Sequence, residues 1–414
     1  MKAKRIFPVA VMLILFGSLS FGSEVDALQK EQELGLSLPL WTVLPFIIML
    51  LTLAITPLTH GHIWEKNRNK AIITAIISIP MGIYIAFLDY HELIHVGLEY
   101  FSFIVLLGSL FTISGGIYLR GDLRGTPLVN TIFLAVGSIF ANFIGTTGAS
   151  MVLIRPLLKT NSERRYTYHI PVFFIFIVSN IGGLLTPLGD PPLFLGYLRG
   201  VPFFWTLRLI PEWLFAVSIV LLVFYIFDRM AWKKEKTEDL LLDLASRELL
   251  SIDGKRNFIL LAGVIAAVFL KTPIREAIMI LMAVLAYNLT PKEYHESNKF
   301  TFHPIVEVAV LFAGIFTTMV PALLILKARG AEFGITQPWQ FFWLTGSLSS
   351  FLDNAPTYLT FLSLAQGLGL HGSVVGVPEI LLKAVSTGAV FMGANSYIGN
   401  GPNFMVKAIC EERG

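Results

Sequence analysis

Two apolar stretches of membrane-spanning length, residues 128–158 and 339–370, are each interrupted in the middle by a polar, helix-breaking tip. The first tip reads Gly145-Thr146-Thr147-Gly148 and the second Asp353-Asn354-Ala355-Pro356-Thr357. Each stretch holds two half-length helices meeting at the tip, because Gly and Pro cost a helix interior about 1 and 3 kcal/mol. That pattern predicts two re-entrant helical hairpins, and hairpins of this kind need full spans around them.

The full spans are present. Apolar runs recur at residues 38–58, 71–89, 100–119, 171–198, 204–227, 258–270, 274–289, 305–326 and 380–408. Two of them, 171–198 and 380–408, are broken by Gly, Pro and Asn clusters and read as discontinuous helices. With 55% hydrophobic and 14% charged residues, the chain falls outside soluble usage and reads as an all-α membrane protein. A net charge of +3, with Lys and Arg confined to short loops, gives no reason to expect nucleic acid. The single cysteine, Cys410, excludes a disulfide framework and a cysteine-rich metal cage.

The expected order is a signal peptide over 1–22, a first transmembrane part over 23–228, a cytoplasmic linker over 229–256 and a second transmembrane part over 257–414. Threading the chain from an external mature N-terminus puts the clusters around Lys66, Arg120, Arg155 and Arg229 on one side, as the positive-inside rule requires. This holds only if the first hairpin enters from the inside and the second from the outside. Three matches between the halves support an inverted repeat. Leu107 to Thr112 pairs with Ala313 to Thr317, Gly145 with Asp353 (353 − 145 = 208), and Thr186-Pro187-Leu188-Gly189-Asp190 with Ser396-Tyr397-Ile398-Gly399-Asn400 (400 − 190 = 210). The span 204–227 has no counterpart in the second half, so a further C-terminal helix is expected.

Polar residues inside spans usually line a pathway, and here they gather at the four interruptions. The first half supplies Asn142, Thr146, Thr147, Asn180, Thr186 and Asp190; the second supplies Asp353, Asn354, Thr357, Asn395, Ser396 and Asn400. Unwound carbonyls, hydroxyls and carboxylates can replace the hydration shell of a hard cation, so sodium held by Asp190, Asp353 and Asn354 is the expectation. Half-helix N-termini can instead hold an anion. For either Asp the plainer role is to cap a half-helix.

His91-Glu92-Leu93-Ile94-His95 matches the zinc-protease pattern letter for letter, but it falls at what reads as a short external connection, without a third ligand. A solvated loop is the better reading, and no enzyme is expected. The linker alternates acidic and basic residues around Leu240, Leu241, Leu242 and Leu244, which suggests an amphipathic surface helix.

Glu99-Tyr100, Gly115-Gly116, Ala141-Asn142-Phe143-Ile144-Gly145-Thr146-Thr147, Thr186-Pro187-Leu188-Gly189-Asp190-Pro191-Pro192 and Asp353-Asn354-Ala355-Pro356-Thr357 together carry a resemblance. From about Leu38 onward the chain resembles the ion transporter superfamily, especially NhaD-type sodium/proton antiporters, which are grouped with citrate-transporter and arsenite-pump-like proteins. The resemblance implies inverted repeats, a homodimer with scaffold and transport parts, and alternating access in the bacterial inner membrane. It departs from the family pattern in having Gly145-Thr146-Thr147 at the first tip and no Ser-Asn-Thr tip. Sodium/proton antiport without a cofactor, the cargo being Na+ and H+, is the leading expectation. Sodium-coupled import of a small organic anion such as citrate is the alternative, and it would call for Arg or Lys inside the membrane. Arg155 and Lys159 read as lying at the cytoplasmic end of the hairpin.

Overall fold

A computed structural model of the protein describes residues 24–64, 66–238, 243, 248–370 and 372–412. The expected signal peptide and Leu240, Leu241, Leu242 and Leu244 of the linker lie outside the described residues. The described chain is almost wholly helical, and five of its helices are long and apolar enough to cross a membrane.

Helix α1 covers Glu24–Ser37, and α2, Leu44–Thr59, follows a 3-10 turn at Leu40–Val43. Helix α3 runs over Asn67–Gly115 but contains an extended residue, Asp89 (φ −154°, ψ 99°), which divides it into two segments. The Asp89 carboxylate accepts from the His91 backbone N–H at 3.0 Å, capping the second segment, and meets Lys30 at 2.5 Å. His91, Glu92 and His95 therefore belong to a helix and not to an external loop. The described residues contain no group of three or more His, Cys, Asp or Glu placed to hold a metal.

Strand β1 (Tyr118–Asp122) leads into α4 (Pro127–Thr160), which is started by Thr126, whose side chain accepts from the Val129 N–H, and by Pro127 in the first turn. Helix α4 breaks at Gly145 (φ 76°, ψ 155°) and folds back, so that Asn130 near its start donates to Asn161 just past its end at 2.9 Å. Positive φ is cheap only for glycine, which is why the tip falls there. Then follow α5 (His169–Ile177), a 3-10 turn over Ile181–Leu185, α6 (Pro191–Leu198), another such turn over Phe203–Leu209, and α7 (Ile210–Trp232).

Strand β2 (Glu248–Asp253) pairs antiparallel with β1, in the register Tyr118 to Asp253 and Arg120 to Ser251. The expected surface helix of the linker is thus corrected over 248–253, where Leu250 and Ile252 alternate with Ser251 and Asp253 at the period of a strand. Helices α8 (Arg256–Val268), α9 (Ile274–Leu289), α10 (Lys292–Ser297) and α11 (His303–Arg329) follow. The second interrupted stretch forms α12 (Pro338–Ser349) and α13 (Asn354–Gln366), and the second discontinuous helix forms α14 (Glu379–Met392), a 3-10 turn and α15 (Gly401–Glu412).

Helices α2, α3, α8, α9 and α11 pack on one another, and α4 to α7 pack with α12 to α15, so the bundle has two groups that meet along α3 and α11. Ile72, Ile76, Ile79, Ile83 and Phe87 leave a continuous apolar stripe on the outer face of α3, with Phe87 87% exposed. Water would make such a stripe costly, whereas lipid solvates it. With Phe103, Phe312 and Phe316 packed inside and isoleucines outside, this is a multi-pass helical membrane protein.

Candidate functional site

Four helical segments start at the centre of the second group. Thr146 begins the returning arm of α4, Asp190 precedes α6, Asn354 opens α13, and Asn400 precedes α15. Their side chains converge. Asp190, 1% exposed, accepts from Thr146 Oγ1 at 2.9 Å and Asn400 Nδ2 at 2.9 Å on Oδ1, and from Asn354 Nδ2 at 2.6 Å on Oδ2. Although it occupies the N-cap position of α6, its side chain makes no capping bond there. The capping reading fails for this residue. The positive ends of the converging segments and three neutral donors hold the carboxylate, and no basic side chain pairs with it among the described residues.

Asn400 also donates to Asn180 Oδ1 at 3.1 Å, and Asn180 donates to Asn403 Oδ1 at 2.6 Å, which extends the polar chain between the halves. Asn403 and the Ser150–Ser179 hydroxyl pair, at 2.7 Å, belong to this buried layer; Ser179 and Asn403 are among the polar residues the sequence places at the interruptions, whereas Ser150 is not. The signal for Ser150 was its polarity inside an apolar run. Asn354 Oδ1 is buried and has no hydrogen-bond partner, an amide oxygen left open beside the carboxylate.

The other candidates do different work. Asp353 is half-buried and caps α13, accepting from the Ala355 N–H at 2.9 Å, while the Thr357 hydroxyl bonds to the Asp353 carbonyl at 2.8 Å. Here the capping reading describes the geometry. Asn142, Thr186, Ser396 and Asn395 tie each broken helix to its hairpin. The Thr186 hydroxyl donates to the Asn142 carbonyl at 2.5 Å and the Ser396 hydroxyl to the Ser350 carbonyl at 2.5 Å, while Asn395 donates to the Ser350 hydroxyl at 2.9 Å. Thr147 is half-buried and lines a small cavity of about 80 Å³ between the first tip and α3.

The same bonds occur twice. Thr186 to Asn142 and Ser396 to Ser350 are related by 396 − 186 = 210 and 350 − 142 = 208. The Thr146 N–H donates to the Gly189 carbonyl at 2.7 Å, and the Asn354 N–H to the Gly399 carbonyl at 3.1 Å, with the same two offsets. Backbones also touch twice, since a Cβ on Gly189 would lie 2.1 Å from the Gly183 oxygen and one on Gly399 would lie 2.6 Å from the Gly393 oxygen.

A cavity of about 690 Å³ opens between the two groups and reaches Asp353 and Asn400. Lys70 and Glu307 line it as an ion pair at 2.6 Å, with Lys70 only 3% exposed, and Arg155 and His303 line it as well. Arg155 therefore lines the same cavity as the second hairpin tip, together with Lys299 and Glu412.

A lipid-facing helical bundle with a buried carboxylate at a meeting of broken helices is the build of a membrane transporter. The chain belongs to the family described as "Putative citrate transport", which matches residues 35–414. No curated protein matches it.

Proposed function

We propose that the protein is a sodium/proton antiporter of the bacterial inner membrane, in which Asp190 binds Na+ or H+ in turn. The observation that carries this reading is the buried Asp190 carboxylate, surrounded by neutral donors and beside the open amide oxygen of Asn354. An ionised carboxylate out of water and without a counter-charge is costly, and it gains most by taking up a proton or a small cation. The groups around it are oxygen-bearing and rotatable, a hydroxyl and two amides, and a hard cation prefers such oxygen donors. One carboxylate with two mutually exclusive occupants is the minimum that exchange requires.

Re-entrant hairpins and an inverted repeat belong to this reading and are supported by the duplicated bonds at offsets of 208 and 210. The cavity ends among Lys70, Arg155 and Lys299, on the side of the basic loops, so this conformation is taken as open to the cytoplasm. The homodimer rests on the family resemblance.

A second reading, sodium-coupled uptake of citrate or another dicarboxylate, is favoured by the family description and by Lys70 and Arg155 on the cavity wall. Proteoliposomes separate the two. Sodium added outside is expected to dissipate an imposed pH gradient, and labelled citrate is expected not to accumulate. A pH gradient indifferent to sodium would remove the first reading; citrate accumulation would install the second.

A further inference from the structure

The interface between the two helix groups is open at one end and shut at the other. At the shut end Glu99, on the second segment of α3, meets Arg199, the residue that ends α6, with Oε2 to Nη2 at 2.9 Å. Glu99 keeps 8% of its side-chain exposure and Arg199 21%. Neither residue lines the large cavity. Along α3, Phe111 lines that cavity twelve residues beyond Glu99 (111 − 99 = 12), roughly 18 Å at 1.5 Å per residue. Along α6, Arg199 ends the helix that Asp190 precedes, nine residues on (199 − 190 = 9).

Packing alone does not call for charge here. A buried ion pair is often no more stabilising than apolar residues of the same volume, and its best-attested use is to specify one of two arrangements. This pair is also imperfectly satisfied, because Arg199 Nε is buried without a partner, so the closed state gains less from it than a fully bonded guanidinium would give. Both groups regain water if the second segment of α3 and the end of α6 part. The exposed imidazole of His95, 3.9 Å from Glu99 Oε1, marks where solvent already reaches the edge of the pair.

We propose that the Glu99–Arg199 ion pair is the gate that closes the transporter on the side opposite the large cavity, and that it separates in each transport cycle. The proposal rests on alternating access and is independent of which ion or anion is carried. Its test therefore reads conformation and not cargo. In a Cys410→Ser background, Leu107→Cys places a thiol at the small cavity between the gate and the large cavity. A membrane-impermeant maleimide is applied to reconstituted protein from the gate side. Glu99→Gln or Arg199→Gln is expected to raise the labelling rate about tenfold, and the charge-swapped pair Glu99→Arg with Arg199→Glu to bring it back. Labelling that is unchanged in both single variants overturns the gate. Should these variants not fold, Glu99→Asp and Arg199→Lys, which keep the charges but shorten the pair, are expected to raise the labelling rate by a smaller factor, and labelling unchanged in both overturns it. A failure of sodium to move protons would leave these outcomes untouched.

Discussion

The two broken-helix assemblies share a backbone and differ in where they keep their charge. In the first, the carboxylate stands just ahead of α6 and turns away from it, into a buried ring of Thr146, Asn354 and Asn400. In the second, Asn400 holds the equivalent position, and the carboxylate sits instead at the hairpin tip, where Asp353 caps α13 and faces the large cavity. Identical scaffolding bonds therefore frame unlike chemistry. The bonds that hold the two breaks together are alike, while one carboxylate is buried among neutral donors and the other caps a helix.

The comparison is broken most directly at Asp190. Asp190→Asn is expected to lower sodium-driven proton flux at least about a hundredfold, since an amide neither takes a proton in this range nor carries the charge that holds a cation. Proteoliposome flux with a pH-sensitive dye measures it, and activity close to the unmodified protein would place the exchange elsewhere. Next in size is Asn354→Ala, which removes both a donor to Asp190 and the open amide oxygen. A loss of about tenfold is expected, seen as a weaker apparent affinity for sodium, on the order of the 1–3 kcal/mol that a buried partner is worth.

Moving the carboxylate sharpens the picture further. If the halves are equivalent in geometry, Asp190→Asn combined with Asn400→Asp should recover part of the flux lost by Asp190→Asn alone, because Asn400 Nδ2 already lies 2.9 Å from Asp190 Oδ1. No recovery would mean that the surrounding donors serve only one position. Gly145→Ala is expected to lower the thermal midpoint, since its φ of 76° strains a Cβ-bearing residue by about 1–3 kcal/mol. The smallest effect is expected from Asp353→Asn, because Asn caps a helix about as well as Asp. Flux within about threefold of the unmodified protein fits a cap, and a dead transporter would make the second carboxylate an ion ligand after all.

Much of this architecture was legible in the chain. Gly145, and the Asp353-Asn354-Ala355-Pro356 tip, are local breakers whose effect needs no neighbours, and the helices end within a few residues of where those breakers fall. The offsets of 208 and 210 reappear as duplicated hydrogen bonds. What could not be read was orientation. Asp190 and Asp353 look alike as sequence, each beside a proline-containing helix start, yet only Asp353 caps its helix. Lys70, Arg155 and Glu307 are far apart in the chain and share a cavity only because α4 folds back against α3, which packs on α11.

Taken alone, the sequence determined that the chain dissolves in lipid, where its helices break, and which polar residues gather at the breaks, because hydropathy, glycine and proline act over a few residues. Tertiary structure decided which of those residues meet. Hydrogen-bond partners to a buried carboxylate are chosen by packing between α4, α6, α13 and α15, with Thr146 and Asn400 as much as 254 residues apart (400 − 146 = 254), and at that separation only geometry distinguishes a buried hydrogen-bonded carboxylate from a cap.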